Sequence, residues 1–367
     1  MKKILYIGGF ELPDKNAAAQ RVLSNAKLLR EMGYQVTFIG VTKDYKNATN
    51  NYGGFVDNPI PYPVGIRQWI KQLFAFIDID NILRQKPDYV ILYNFPSIAS
   101  LKILKACHKY GIKVIHDLTE WETSTGWSVR SIIKKIDIVL RMRYCIKRMD
   151  GVIAISRYLY DFYSNKTKCI LVPPTVDLRD LKWNRERQIT VGNEIKLIYA
   201  GNPGYGIKDR VDIIVNTVSK YHNLQLDIIG ISEEQYVNGY GTLPNKSSNI
   251  NFCGRVSHEE AICAVQNADF QFLIRDNNRK NNAGFPTKLV ESMTCGIPLI
   301  ATLTSNIDDY LIDGNNSFII SDNRTLDSIL QVISRMPKSQ ILEMKHNCLM
   351  CTAFDYKLYK NEFAKLF

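Results

Sequence analysis

Short, nearly continuous apolar runs alternate with segments of helical spacing along almost the whole chain. In the first half these runs are "KKILYIGG", "QVTFIG", "DYVILYN", "IKVIHD" and "GVIAIS". Strands that are apolar on both sides are typical of a parallel sheet covered by helices on both faces. The alternation therefore predicts an α/β fold with a doubly wound sheet.

A second series of the same kind begins near Glu194 and includes "EIKLIYAG", "LQLDIIG", "INFCG", "FQFLIR" and "IPLIATL". The polar stretch 181–193 contains no apolar run and is the predicted linker. A length of 367 residues also favours two domains over one. We predict two doubly wound, Rossmann-like domains, 1–180 and 194–345, that face each other across a cleft. The segment 346–367 is expected to be helical and to pack back towards the first domain.

The composition is that of an ordinary soluble protein, with 46% hydrophobic and 23% charged residues. No apolar run approaches the roughly 20 residues of a membrane-spanning helix. The apolar start is too short for a signal peptide, so a buried first strand is the better interpretation. The only close cysteine pair, Cys348 and Cys351 beside His346, lacks the second pair that a zinc site needs. We expect reduced thiols, a cytoplasmic location and no metal.

The net charge of +11 is concentrated in one half of the chain. Residues 1–180 contain 27 Lys and Arg against 16 Asp and Glu, whereas the remainder contains 20 of each. This asymmetry suggests that the first half meets an anionic partner. No nucleic-acid-binding motif is present, so we expect no nucleic acid and consider an anionic membrane surface.

The stretch "NNAGFPTKLVESMTCGIP", residues 281–298, predicts a helix with Thr287 as its N-cap that ends before Gly296. Lys288 would then lie in the first turn, at the positive end of the helix dipole. Free N–H groups at a helix start bind anions, so a lysine is acceptable here if a bound phosphate balances its charge. The alternative is a surface pair of Lys288 and Glu291 on an ordinary helix.

These motifs resemble the donor domain of retaining glycosyltransferases of family 4, also called group 1, which have the GT-B architecture. The matching segments are "YAGNP" with Lys208 shortly after it, "FCGRV", "ADFQFLIR" and "AGFPTKLVESMTCGIPLIA". The resemblance continues into the first half through "GVIAIS" and "VPPTVD" and covers most of the chain in order. It implies transfer of a sugar from a nucleotide-diphosphate donor with retention of the anomeric configuration.

The resemblance also implies which residues bind the donor. Lys288 and Lys208 would bind the diphosphate. Glu291 would accept hydrogen bonds from the ribose hydroxyls, and the backbone of Arg255 and Val256 would pair with the base. The full predicted donor-binding set is Gly201, Asn202, Lys208, Arg255, Val256, Arg275, Gly284, Phe285, Pro286, Thr287, Lys288 and Glu291. The alternative for Lys208 is a solvated loop cation.

Two positions depart from the family pattern. Ala283 stands where the family has a first glutamate, which contacts the donor sugar. Asn202 stands where the family often has an arginine, so that half of the usual cationic pair is either missing or supplied by Arg275 or Lys288. These departures leave the identity of the donor sugar open.

In the first half, His116 and Asp117 end the predicted strand "IKVIHD", and strand ends in such folds face the ligand. The predicted catalytic residues are His116 and Asp117, together with Lys208. A buried structural histidine is the alternative for His116. Gly8, Gly9 and Glu120 are predicted on the acceptor side. Gly8 and Gly9 lack the spacing of a dinucleotide-binding fingerprint, which argues against a dehydrogenase.

The resemblance thus implies a retaining glycosyltransferase that needs no cofactor and uses a UDP- or GDP-type sugar. The acceptor would be a hydroxyl of a glycan or lipid-linked glycan in surface polysaccharide assembly, on the inner face of the cell membrane. A sugar-nucleotide epimerase and a non-catalytic binding subunit on the same fold are the alternatives.

The segment from Trp127 to Asp150 carries seven basic residues against two acidic ones and is also rich in isoleucine. A helix here is either a sheet-covering helix with a solvated charged face or a patch that docks on anionic lipid.

Overall fold

A computed structural model describes residues 1–13, 15–46, 48–124, 126–185, 189–204, 208–244, 248–321 and 324–367. The chain divides into two compact units. Unit 1 comprises Met1–Val176, Asn282–Phe285 and Tyr356–Phe367, and unit 2 comprises Asp177–Asn281 and Pro286–Asp355.

Unit 1 contains the strands β1 Lys3–Gly8, β2 Gln35–Ile39, β3 Val41–Thr42, β4 Asn50–Tyr52, β5 Phe55–Asp57, β6 Ile60–Pro61, β7 Tyr89–Tyr93, β8 Lys113–Leu118, β9 Gly151–Ala154 and β10 Cys169–Leu171. Eight of them form a sheet of order β10-β9-β8-β7-β1-β2-β5-β4, in which only the β4–β5 pair is antiparallel. The other two, β3 and β6, form a small parallel pair.

The helices of unit 1 cover both faces of this sheet. They are α1 Ala17–Glu31, α2 Gly65–Phe74, α3 Ile79–Arg84, α4 Ser97–His108, α5 Val129–Leu140 and α6 Arg157–Tyr163. Side chains of β1 alternate between the two cores: Tyr6 packs with α1 on one face, whereas Ile7 packs with α4 on the other. Covering both faces is what makes the strands apolar throughout.

Unit 2 contains the strands β11 Ile195–Ala200, β12 Leu224–Ile229, β13 Ile250–Gly254, β14 Phe270–Leu273, β15 Leu299–Thr302 and β16 Ser317–Ile320. They form a wholly parallel sheet of order β13-β12-β11-β14-β15-β16. Its helices are α7 Val211–Val218, α8 Glu233–Tyr240, α9 His258–Gln266, α10 Arg279–Ala283, α11 Thr287–Thr294, α12 Leu326–Ile333 and α13 Lys338–Met350. The last residues of α10 group with unit 1. Two doubly wound sheets confirm the predicted α/β fold class.

The chain returns to unit 1 at its end, where a short helix, α14, spans Lys360–Phe363. Phe363 is fully buried in the α1-side core of unit 1, and the Tyr89 hydroxyl donates a 2.7 Å hydrogen bond to the carbonyl of Phe367. The predicted linker segment begins with a 3-10 turn, Leu181–Trp183, within unit 2, and Trp183 is buried. Residues 186–188 of that segment lie outside the described part of the chain.

Two local expectations were wrong. Helix α11 has Pro286, not Thr287, at its N-cap: Pro286 has the extended backbone of an N-cap residue, with φ −76° and ψ 113°, and Thr287 is the first helical residue. Strand β8 continues to Leu118, so that His116 and Asp117 lie inside the strand rather than at its end. Helix α2 forms at 65–74, for which no element was predicted.

Candidate functional site

The strand order of unit 2 indicates where a ligand would bind. The central strand β11 has β12 on one side and β14 on the other, and the connections run in opposite directions from this point. In such sheets ligands bind beyond the carboxyl ends of the strands at the point of reversal. Gly201 follows β11 there, and Arg275 lies two residues after β14.

A buried aspartate, Asp209, lies at the centre of a group of side chains in this region. The Asp209 carboxylate accepts hydrogen bonds from Arg275 Nε at 2.6 Å, from the Tyr199 hydroxyl at 2.7 Å and from Lys288 Nζ. Lys288 Nζ also lies 3.2 Å from the Tyr199 oxygen and 4.6 Å from its ring centroid. Asp209, Arg275, Lys288 and Tyr199 are all buried. We call these four residues the Asp209 cluster.

The Asp209 cluster carries more positive than negative charge. Burial by itself would raise the pKa of Asp209, but the nearby Lys288 and Arg275 outweigh it and hold that pKa low. Burial raises the pKa of Tyr199 well above its usual value, so the phenol is neutral. Burial also lowers the pKa of Lys288, an effect that the contact with Asp209 opposes. With both cations charged, one carboxylate neutralises only one of them, and the other favours an anionic ligand.

The backbone approaches this cluster closely at Gly201. Gly201 has φ of +131°, and a Cβ added to it would lie 2.6 Å from Lys288 Cε. Only glycine therefore leaves room for the lysine side chain against the end of β11. The Asn202 side chain accepts a 2.9 Å hydrogen bond from the Gly204 N–H and holds the next turn of the loop.

Asp209 also explains how the first turn of α11 accommodates a lysine. The Lys288 side chain, which is 10% exposed, pairs with Asp209 instead of meeting the helix dipole alone. The sequence analysis missed Asp209. The available signal was an acidic residue directly after Lys208, but which of two adjacent charged side chains turns inward is decided by packing.

Glu291 lies one turn further along α11 and is partly buried. Burial raises its pKa to about 7, although Lys288 and Lys182 act in the opposite direction. A carboxyl group with such a pKa changes charge near neutral pH, which is typical of functional sites.

The other predicted donor residues surround the cluster less closely. Lys208 and Arg255 are exposed, Val256 and Thr287 are half-buried, and Phe285 and Pro286 are buried. The glycine loop before Lys208 includes residues 205–207, which lie outside the described part of the chain. Gly284 and Phe285 group with unit 1, as does Ala283, whose carbonyl accepts a 2.8 Å hydrogen bond from the Ser156 hydroxyl.

In unit 1 a second buried aspartate, Asp117, is fully engaged. Arg21 donates to both of its oxygens, at 2.8 and 2.9 Å to Oδ1 and 3.2 Å to Oδ2. The Tyr6 hydroxyl and Asn25 Nδ2 also donate to Oδ2. Every acceptor direction of the carboxylate is thus occupied by protein donors, which makes Asp117 a structural residue.

His116 points to the opposite side of the sheet from Asp117, since neighbouring strand residues alternate. It is fully buried, and neither ring nitrogen has a hydrogen-bond partner among the described residues. Burial and the charge of Arg141 lower its pKa to about 3, against a smaller opposite effect of the Phe95 and Asp117 backbone. The imidazole is therefore neutral, and it does not form a catalytic pair with Asp117.

The predicted acceptor-side residues lie near the point of reversal in unit 1, where β1 adjoins β7. A Cβ on Gly8 would lie 2.6 Å from Tyr93 Cβ, so glycine is required there for packing, whereas Gly9 is exposed and open. Asn94, just after β7, donates to Thr119 at 2.5 Å and lies 3.5 Å from Glu120. Glu120 is thus held at this end of the sheet.

Among the described residues, no group of three or more His, Cys, Asp or Glu side chains is arranged to hold a metal ion. Across the same part of the chain, no helix combines the length and the apolar character needed to cross a bilayer.

Comparisons with known proteins agree with this geometry. Residues 185–348 match the family described as glycosyl transferases group 1, and residues 18–180 match glycosyltransferase family 4. Two curated relatives, both named as uncharacterized glycosyltransferases of Methanocaldococcus jannaschii, are 24% and 22% identical over 60% and 56% of this chain. The matches span 59% and 52% of the relatives' own lengths.

Solved structures share the fold over the whole chain at low identity. Sucrose-phosphate synthase from Thermosynechococcus elongatus has a TM-score of 0.71 at 13% identity and covers 100% of this chain and 98% of its own. Anabaena HepE, solved with UDP and glucose, has a TM-score of 0.65 at 14% identity, with 100% and 99% covered. The catalytic domain of Arabidopsis thaliana starch synthase IV, bound to ADP and acarbose, has a TM-score of 0.66 at 11% identity, with 100% and 98% covered. With family matches to both halves and this shared architecture, the chain belongs to the group 1 and family 4 glycosyltransferases of the GT-B fold.

Proposed function

We propose that the protein is a retaining glycosyltransferase that moves a sugar from a nucleotide-diphosphate sugar to a hydroxyl acceptor. The observation that carries the proposal is the buried excess of positive charge in the Asp209 cluster, at the point of strand reversal in unit 2. Two cations that share one carboxylate suit a ligand that brings further negative charge. A diphosphate is such a ligand, and the N–H groups at the start of α11 favour it further.

The proposed chemistry uses the diphosphate as the leaving group. The bond between the anomeric carbon and the β-phosphate oxygen breaks, and negative charge grows on that oxygen. Lys288 and Arg275 stabilise it without reorganising, because Asp209 already holds both side chains in place. The acceptor oxygen forms its bond to the anomeric carbon on the same face, and its proton passes to the leaving phosphate.

This route needs no carboxylate nucleophile. Asp117, the carboxylate that the sequence analysis placed among the catalytic residues, is occupied by Arg21, Tyr6 and Asn25. We therefore assign Asp117 to the scaffold of unit 1. His116 retains a proposed role, since among the described residues no group satisfies this buried imidazole with good hydrogen-bond geometry, and the Phe95 and Asp117 backbone meets it only loosely. As a neutral group it would hydrogen-bond a hydroxyl of the donor sugar.

The donor is proposed to be a UDP- or GDP-type sugar. The neighbouring structures were solved with UDP and glucose, with UDP-glucose, with UDP-2-fluoro glucose and with ADP and acarbose, which supports a nucleotide ligand in this fold. Glu291 would accept the ribose hydroxyls, and Lys208 would reach the diphosphate from the adjoining loop. We propose a glycan or lipid-linked glycan as acceptor, in surface polysaccharide assembly on the cytoplasmic face of the membrane, with no cofactor.

The test is an activity screen of the full-length protein with UDP- and GDP-sugars and with lipid-linked and free glycan acceptors. The proposal expects nucleoside diphosphate release that depends on an acceptor, and a product whose anomeric configuration by NMR equals that of the donor. Inversion would contradict the retaining mechanism. A new nucleotide sugar formed without an acceptor would identify an epimerase instead. Tight nucleotide binding with no turnover would identify a binding subunit, the alternative that Ala283 and Asn202 raise.

A further inference from the structure

Helix α5 exposes the apolar stripe that a sheet-covering helix would bury. Val129, Ile132, Ile136 and Val139 follow helical spacing and are 69%, 42%, 55% and 54% exposed. Ile138 is the only buried residue of this helix. The interpretation of this segment as a sheet-covering helix with a solvated charged face is therefore wrong, because the exposed face of α5 is largely apolar.

Helix α2 has the same character and lies beside α5. None of its residues is buried, and its apolar positions, among them Ile66 and Phe74, repeat at helical spacing. Both helices pack against α4. The Arg130 guanidinium of α5 lies 5.2 Å from the ring centroid of Trp69 in α2, which links the two helices into one surface.

The charges on this surface are mainly basic. Residues 62–74 contain no acidic residue, and residues 126–148 contain only Asp137. Glu122, outside these segments, pairs with Lys134 of α5 at 2.6 Å. Asp137 is turned to α4, where it accepts hydrogen bonds from the N–H and hydroxyl of Ser97 at 2.8 and 2.7 Å. Exposed basic residues remain at the rim, including Arg67, Lys71 and Arg143.

We infer that α2, α5 and the preceding Trp127, which is 88% exposed, form a docking surface for an anionic lipid bilayer. Apolar side chains in two adjacent helices would enter the boundary between headgroups and acyl chains, and the surrounding lysines and arginines would meet anionic headgroups. A soluble protein partner of ordinary composition would not require both a wide apolar face and a predominantly basic rim. This surface gives a structural basis to the membrane location proposed above.

The experiment is co-sedimentation of the full-length protein with vesicles of phosphatidylcholine alone or with 30% phosphatidylglycerol (a composition of about that order suffices to give a negative surface potential). Measurements at low and high salt, without any nucleotide sugar, separate this inference from the transferase proposal. We expect binding to anionic vesicles that salt weakens, and little binding to neutral ones.

Paired variants locate the surface. Ile136→Ser with Val139→Ser should reduce vesicle binding at least tenfold, whereas Ile312→Ser with Val332→Ser, residues of unit 2 that are 61% and 49% exposed, should not change it. Arg67→Gln with Arg143→Gln should weaken binding roughly 30-fold, since each basic residue near the bilayer contributes about 1 kcal/mol. The matched control is Arg84→Gln with Arg335→Gln, both exposed elsewhere.

Three results would overturn the inference. The first is no sedimentation with anionic vesicles at low salt. The second is binding that the α5 variant and its control reduce equally. The third is self-association that the α5 variant abolishes while vesicle binding is absent, which would make the surface an interface between copies of this chain. Nucleotide binding by the same variants, measured in solution, is expected to stay unchanged.

Discussion

The two units contain matching buried networks that differ in charge. Tyr6 on β1 and Tyr199 on β11 lie on the central strands of their sheets, and each donates its hydroxyl to a buried aspartate, Asp117 or Asp209. In unit 1 a single Arg21 neutralises the aspartate and gives its remaining hydrogen bonds to the carbonyls of Val172 and Pro173. That network is neutral and complete.

In unit 2 the aspartate is shared by two cations, Arg275 and Lys288. A buried ion pair that satisfies itself contributes mainly to the scaffold, whereas buried charge of one sign in excess is costly unless a ligand balances it. We therefore expect the network of unit 1 to be structural and the Asp209 cluster to bind a ligand, although both centre on the same residue types.

The largest expected effect comes from removing each aspartate in turn. Asp117→Asn and Asp209→Asn each leave buried cations uncompensated, and each should lower the free energy of unfolding by about 3–5 kcal/mol. A saturating nucleoside diphosphate should then restore more stability to Asp209→Asn than it adds to the wild type, because its phosphates replace the lost charge. Asp117→Asn should gain no more than the wild type does. Chemical denaturation with and without ligand measures this, and equal ligand increments in all three proteins would remove the distinction.

Lys288→Met should reduce the affinity for a nucleoside diphosphate roughly 10- to 100-fold, from the loss of a charged hydrogen bond worth about 1.5–3 kcal/mol. The affinity for the corresponding nucleoside should not change. Lys345→Met is the control, since Lys345 is a buried lysine of the same unit that pairs with Asp269. It should destabilise the fold without altering nucleotide affinity. Calorimetric titration measures both, and equal losses for nucleoside and diphosphate in Lys288→Met would place this lysine away from the phosphates.

Glu291 predicts a pH dependence with a definite sign. Burial raises its pKa from 4.5 to about 7, so the folded protein holds this proton more tightly than the unfolded chain does. The contribution of Glu291 to stability should therefore decline as pH rises from about 4.5 to about 7. Nucleotide affinity should change oppositely, rising up to about tenfold between about pH 6 and pH 8, because the ribose hydroxyls prefer the carboxylate.

The matched variant is Glu291→Gln, which keeps the shape and cannot titrate. It should flatten both pH profiles while leaving the protein folded. A wild-type affinity that stays constant across this range would exclude Glu291 from the ribose contact.

His116→Phe should give the smallest change. Phenylalanine keeps an aromatic ring and removes two buried nitrogens that have no well-aligned partner among the described residues, but its ring is larger than imidazole. The two effects oppose each other, so the net change in stability should be small. If the imidazole hydrogen-bonds the donor sugar, kcat should fall up to about tenfold with little change in KM. Steady-state kinetics distinguishes the roles, and full turnover in this variant would return His116 to a packing role.

The sequence predicted the strands and the doubly wound class well because apolar periodicity reports burial directly. It correctly placed Lys288 in the first turn of α11, where the positive charge of this lysine requires a negative partner. It could not identify Asp209, because that residue reaches the lysine from 79 positions away through the packing of two elements. It placed His116 and Asp117 together as catalytic residues, although their alternation along β8 directs them to opposite faces. It predicted no strand between 43 and 59, where β4 and β5 extend the sheet and bury Phe55.

The measurement that tests the central claim most directly is the unfolding temperature of the wild-type protein with UDP, GDP and ADP, each compared with its nucleoside. The claim is that the Asp209 cluster is a diphosphate site. It predicts that at least one nucleoside diphosphate, at 100 times its dissociation constant, stabilises the protein by about 2.7 kcal/mol, and that the same nucleoside at equal concentration stabilises it far less. Stabilisation by the nucleoside equal to that by its diphosphate, or no stabilisation by any of the three diphosphates, would contradict it.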